Sequence, residues 1–140
     1  MFLSTALIPI ILSTCVDAKW IKFGQYEYKD FRGRYKQEEA ETRCNDHGGQ
    51  LASIHSKAEN DFLFRKYYGR GYLWIGLVRD GNKWFWTDGT PANYIFWGRG
   101  RPRRNHGYCA WGFESNPYGS WSDVHCDKHV IGFICKRKAF

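Results

Sequence analysis

Cysteine usage constrains this chain more tightly than any other feature. The 140 residues hold five cysteines, and Cys15 stands in a different setting from Cys44, Cys109, Cys126 and Cys135. Met1 to Leu12 is apolar apart from Ser4 and Thr5, carries no charged side chain, and leads to the small residues Val16 and Ala18. That pattern fits a secretory signal over 1–18 better than a retained buried helix, although only the amino terminus supplies its basic end. The apolar run is too short to span a bilayer, and no later stretch is long and apolar enough to be transmembrane. Cleavage near Ala18 leaves an even four cysteines in an oxidising compartment, which favours two disulfides.

Residues 19–140 suffice for one domain with a real core and are too few for two. Aromatic residues make up 19% of the chain and charged residues 25%, a composition that excludes a disordered tail. The formal charge is +7, and loss of Asp17, the only charged residue in 1–18, makes it +8. A secreted domain this basic is drawn to anionic glycans, nucleic acid or membrane surfaces, and net charge does not choose among them. No Asn-x-Ser/Thr acceptor is present, so N-linked glycosylation is not expected.

Hydrophobic spacing predicts a helix from Tyr35 to Cys44, with Tyr35, Ala40 and Cys44 on one face and Gly48-Gly49 as its stop. Ser56-Lys57-Ala58-Glu59 has the form of a capping box, followed by Ala58, Phe62, Leu63 and Tyr67 at helical spacing until Gly69 and Gly71. From Tyr72 the period changes. YLWIGLV and KWFWTDG read as strands around a hairpin turn at Asp80-Gly81, and YCAWGF and VIGFICK as two more, separated by the turn residues SNPYGS. Gly89 to Tyr108 shows neither period and contains Pro91 and Pro102. Loops of that length in small domains are usually functional or disordered. Helices followed by strands make an α+β domain.

Trp74-Ile75-Gly76-Leu77, Trp84, Trp86, Asp88-Gly89, Tyr94, Trp97, Gly100, Pro102, Cys109, Trp121, Asp123, Cys126 and Cys135 resemble the C-type lectin-like domain in order and spacing. Ala40, Cys44, Gly49 and Leu51-Ala52-Ser53 fit as well, so the resemblance runs from about Tyr26 to Lys136. It implies two helices flanking small antiparallel sheets, a long loop from about Val78 to Tyr108, and the disulfides Cys44–Cys135 and Cys109–Cys126. With no extra N-terminal cysteine pair and no cysteine in the loop, it further implies a short-form monomer.

The long loop departs from the family's sugar-binding pattern. Sugar-binding members hold calcium with a Glu-Pro-Asn or Gln-Pro-Asp triplet, a glutamate before the inner cysteine, and an Asn-Asp pair after a tryptophan. Here these positions read Arg101-Pro102-Arg103, Gly107 and Ser122-Asp123, and the neighbouring calcium site is basic or neutral at Arg104, Gly107 and Tyr108. Calcium wants six to eight oxygens. An arginine about 4 Å from a dication is repelled by roughly 8 kcal/mol at an effective dielectric near 20. No metal or cofactor is therefore expected, and the hydroxyl-chelating mechanism does not carry over.

Arg99, Arg101, Arg103 and Arg104, with His106, instead make a candidate anion-binding surface, because guanidinium groups grip sulfate and carboxylate through paired charge-assisted hydrogen bonds. The expectation is a secreted, calcium-independent module that recognises a sulfated or sialylated glycan or glycoprotein. A protein-binding effector that docks on a receptor or plasma protein is the alternative. The same arginines also fit a solvated loop or a basic processing-protease site. Trp74, Trp84, Trp86, Trp97, Trp111 and Trp121 fall mostly at framework positions rather than serving as stacking platforms, and no nucleic-acid partner is expected. His106-x-x-Cys109 and Cys126-x-x-His129 have zinc-ligand spacing, which competes with the disulfide for the same two thiols. No catalytic motif is present, and Asp61, Asp88 and Glu114 are scattered acids, with Asp88 suited to ordering a turn. An enzyme is not expected.

Overall fold

A computed structural model describes residues 19–104 and 106–140; the leader assigned to 1–18, with Cys15, lies outside the described residues. In chain order the elements are β1 (Ile21–Phe23), β2 (Tyr26–Tyr35), α1 (Gln37–Asp46), β3 (Gln50–Leu51), α2 (Lys57–Tyr67), β4 (Leu73–Asp80), β5 (Lys83–Trp86), β6 (Cys109–Ser115), β7 (Tyr118–Val124) and β8 (Val130–Lys138). The strands order as β1-β2-β8-β4-β6-β7, with β3 on β8 and β5 on β4. Among the named strands all pairings are antiparallel except one parallel contact, Trp74 to Phe133, which joins the two halves of the sheet, and outside them Trp97 makes a parallel bridge to Trp121. This is the expected α+β architecture. It is closed by β2 and β8, which pair from Tyr26–Lys138 to Tyr35–Val130 and so hold the two ends of the domain together.

Helix α1 begins two residues later than its hydrophobic spacing predicts. Tyr35 belongs to β2, where it packs edge-on against Phe133 at 5.2 Å between ring centroids, and the buried helical face is Gln37, Ala40 and Cys44. The Glu39 carboxylate accepts from the Lys36 backbone N–H at 3.0 Å, which satisfies a free donor at the helix start.

Helix α2 has half of its capping box. Ser56 Oγ accepts from the Glu59 N–H at 3.0 Å, but the Glu59 carboxylate turns inward instead of back to Ser56. It accepts from the His55 N–H at 3.0 Å and the Tyr28 hydroxyl at 2.9 Å, and pairs with Lys136 Nζ at 3.3 Å. Burial, reinforced by the Glu59 charge, pushes the Tyr28 hydroxyl far above its ordinary range, so it remains a donor. Asn60 joins the buried face by donating to the Gly119 carbonyl and accepting from Trp121 Nε1, both at 2.9 Å. The face toward the sheet is thus Glu59, Asn60, Leu63 and Tyr67, while Ala58 is exposed and Phe62 half-buried.

The β4–β5 hairpin pairs Asp80 with Lys83, leaving Gly81-Asn82 as a two-residue turn with Gly81 at φ 60°. Gly76 is required by close packing, since a Cβ there would lie 2.8 Å from the Leu51 carbonyl oxygen. Asp88 orders the next turn by accepting from the Thr90 N–H at 2.9 Å. Burial works against its charge, yet hydrogen bonds from Ser53 and Thr90, with Lys136 nearby, hold its carboxyl below the usual carboxylate range.

Strands β1, β2 and β7 do not stand out in the hydrophobic pattern. SNPYGS is a hairpin that delivers β7 alongside β6. Within β7, Gly119, Ser120, Ser122 and Asp123 are small or polar, yet all are buried, so the usual inside-outside alternation is missing. Cys44–Cys135 ties α1 to β8, and Cys109–Cys126 ties the start of β6 to the segment after β7. The second bridge consumes both thiols of the zinc spacing and removes that reading. Trp74, Trp86 and Trp121 are fully buried and Trp111 nearly so, a framework role.

Candidate functional site

Between β5 and β6 the described residues 87–104 and 106–108 form no helix and no extended strand. Their order comes from β7. The Gly98 N–H donates to the Trp121 carbonyl at 2.7 Å, and the Trp121 N–H donates to the Phe96 carbonyl at 2.8 Å. Tyr94 and Trp97 pack edge-on against Trp121 at 5.8 and 6.4 Å, and Trp84 meets Trp97 at 4.6 Å. Aromatic packing thus seats the loop on the sheet. The basic run follows directly from this anchor.

Arg101 does not project into solvent. Its Nη1 donates to the Asp123 carbonyl at 3.0 Å and to the Asp123 carboxylate at 3.2 Å, while the Arg103 N–H reaches the other carboxylate oxygen at 3.1 Å. Asp123 is fully buried and the Arg101 side chain only 19% exposed, so this is a shielded, charge-assisted pair. The one acidic residue retained from the family's calcium set is already occupied by a cation of the same chain.

The other positions fit calcium no better. Ser122 Oγ donates to Glu114 Oε1 at 2.7 Å. Gly107 offers no side-chain oxygen, and a Cβ placed on it would overlap the backbone of Val124, so a glutamate cannot stand there without backbone movement. Among the described residues these positions do not assemble a calcium site.

Arg99, Arg101 and Arg103 line one cleft of about 350 Å³ together with Glu114, Asn116 and Ser122 from the β6–β7 hairpin. Arg99 and Arg103 are exposed there. Arg104 is exposed but not part of the lining, and His106 lies half-buried against the His125 ring at 4.9 Å. The cleft therefore gathers three of the four arginines, one of them internally paired. Glu114 and Asn116 enter it from a hairpin that no local pattern links to the arginine run. Glu114 Oε1 also accepts from Trp111 Nε1 at 2.7 Å, and the Glu114 charge, with some burial, raises the Tyr72 hydroxyl above its ordinary range. The scattered acids each bind donors rather than one another: Asp61 meets Lys57 at 2.6 Å, Asp88 meets Ser53 and Thr90, and Glu114 meets Trp111 and Ser122.

The Lectin C-type domain family matches residues 33–137. The chain is 33% identical over 134 residues to a C-type lectin mannose-binding isoform of Oxyuranus scutellatus, covering 89% of this chain and 84% of that protein. It is 34% identical over 132 residues to the low affinity immunoglobulin epsilon Fc receptor of Homo sapiens, covering 92% of this chain but 40% of the receptor. Among solved structures, the cow C-type carbohydrate-recognition domain of CD23 superposes with a TM-score of 0.79 at 31% identity, covering 91% and 98% of the two chains. A calcium-independent type II antifreeze protein superposes with a TM-score of 0.79 at 29% identity, covering 88% and 94%. With the two disulfides, the tryptophan framework and the long loop seated on β7, the chain belongs to the C-type lectin family.

Proposed function

We propose that this protein is a secreted, monomeric, non-catalytic binding module that recognises an anionic glycan, sulfated or sialylated, without calcium. The observation that carries the reading is the Arg101–Asp123 pair, which puts a fixed cation on the oxygens a metal would need. Beside it, Arg99 and Arg103 stand exposed on a polar cleft with Asn116, a setting suited to sulfate or carboxylate oxygens. Arg104 and His106 flank the cleft and add long-range attraction for an extended polyanion. Calcium independence has a counterpart in the structurally similar calcium-independent type II antifreeze protein.

Binding to heparin and to a sulfated and sialylated glycan array, with and without chelator and across a salt series, tests the proposal. Binding should be indifferent to chelator and weaken with salt. Arg99→Ala and Arg103→Ala should each cost about tenfold in affinity, the loss of one charge-assisted hydrogen bond. No binding at low salt, or loss with chelator, overturns it.

A second reading, docking on a protein, is favoured by the likeness to an immunoglobulin Fc receptor. A defined protein partner that still binds after all four arginines are changed to alanine would establish that reading in place of the first.

A further inference from the structure

A second concavity, of about 290 Å³, opens on the other side of Glu114 between α2 and the β6–β7 hairpin. Its wall is aromatic: Phe64, Tyr68, Tyr72, Phe113 and Tyr118. Phe64 is the hub, with its ring 5.4 Å from Tyr68, 6.0 Å from Phe113 and 6.1 Å from Tyr118. Tyr72 stacks on Trp111 at 4.6 Å and 10°, which fixes the plane of the opposite wall. Three of these rings face solvent, Tyr68 at 68% exposure, Tyr72 at 43% and Tyr118 at 69%. Large rings left this open in one concavity are uncommon in a soluble domain and mark a binding surface.

The charge of the concavity distinguishes it from its surroundings. The chain as a whole is at +7, yet no lysine or arginine lines this wall, and Glu114 is its single charged residue. Trp111 Nε1 and Ser122 Oγ both donate to Glu114 Oε1, and the Tyr72 hydroxyl on the groove wall also hydrogen-bonds the carboxylate, which holds its charge at the edge of the aromatic wall. Aromatic faces present negative quadrupole to a ligand, and a carboxylate set among them adds a full negative charge. An anion is repelled from such a place. A large, weakly hydrated cation gains from every wall.

We propose that this groove is a binding site for an organic cation of the quaternary or trimethyl ammonium class, with Tyr68, Tyr72 and Tyr118 enclosing the methyl groups and Glu114 as the counter-charge. The site is separate from the arginine cleft. Glu114 and Ser115 line both and form the wall between them.

Choline chloride, titrated into the disulfide-intact protein and followed by amide chemical shifts, is the direct probe. Saturable shifts centred on Tyr68, Tyr72, Glu114 and Tyr118 are expected. The uncharged carbon isostere 3,3-dimethyl-1-butanol should bind at least tenfold more weakly. Glu114→Gln should abolish choline binding. Because that variant alters the half-buried hydrogen bonds to Trp111 and Ser122, the exposed changes Tyr68→Ala and Tyr118→Ala serve as a second test, and each should weaken choline several-fold while leaving the native amide spectrum elsewhere intact. Equal binding of choline and the isostere, choline binding indifferent to Tyr118→Ala, or occupancy by neutral saccharides with none by choline would each overturn the proposal.

Discussion

Asp123 shows how one side chain can keep its place in a family framework while its chemistry changes. Its carboxylate and carbonyl are fully buried, and in this chain Arg101 and the Arg103 N–H supply the positive partners. Breaking a shielded ion pair from one side strands the other charge, at a cost of about 3 kcal/mol. Asp123→Ala should therefore lower unfolding stability by about that amount in a denaturant titration, because Arg101 has little solvent to retreat into. A loss below about 1 kcal/mol would mean that the arginine re-solvates freely and that the pair is not structural. The sequence placed Arg101, Arg103 and Asp123 at equivalent family positions. That the arginine bonds the aspartate, rather than facing outward beside it, depends on atomic placement across 22 residues of chain.

On helix α2 hydrophobic spacing marks Ala58, Phe62, Leu63 and Tyr67, and only Leu63 and Tyr67 belong to its buried face. Two of its four buried residues are polar, and each meets a partner distant in sequence: Glu59 meets Lys136, and Asn60 meets Gly119 and Trp121. A pattern of apolar residues is blind to a helix docked through satisfied hydrogen bonds. Asn60→Ala should cost about 2 to 3 kcal/mol, since it orphans a buried carbonyl and a buried indole N–H at once. Thermal unfolding of this variant beside Ala58→Ser, which touches only the exposed face, separates docking from helix propensity. Strand β7 was hidden for a related reason. Around the core residues Trp121 and Val124 it buries Gly119, Ser120, Ser122 and Asp123, small and polar residues that break the hydrophobic pattern and make room for the loop and α2.

On the scale of the whole molecule, two cross-links hold a sheet whose strands are scattered along the chain. Cys44–Cys135 spans 91 residues and Cys109–Cys126 spans 17. By chain entropy these constrain the unfolded state by roughly 4 to 5 and about 3 kcal/mol respectively. The double change Cys109→Ser with Cys126→Ser should destabilise by about 3 kcal/mol in equilibrium denaturation, with the larger loss on removing the other pair. A free-thiol count of zero on the unreduced protein checks the pairing of all four cysteines in the domain. The cysteine and tryptophan framework was readable from sequence because it consists of rare residues at fixed order and spacing. The positive charge of the loop and the replacement of calcium-binding oxygens by arginine and glycine were equally plain in the sequence. Only the tertiary structure decided which arginines remain available and that Glu114 stands between a basic cleft and an aromatic groove. Those outcomes depend on contacts between segments far apart in the chain, and burial there changes what a charge or an aromatic ring can do.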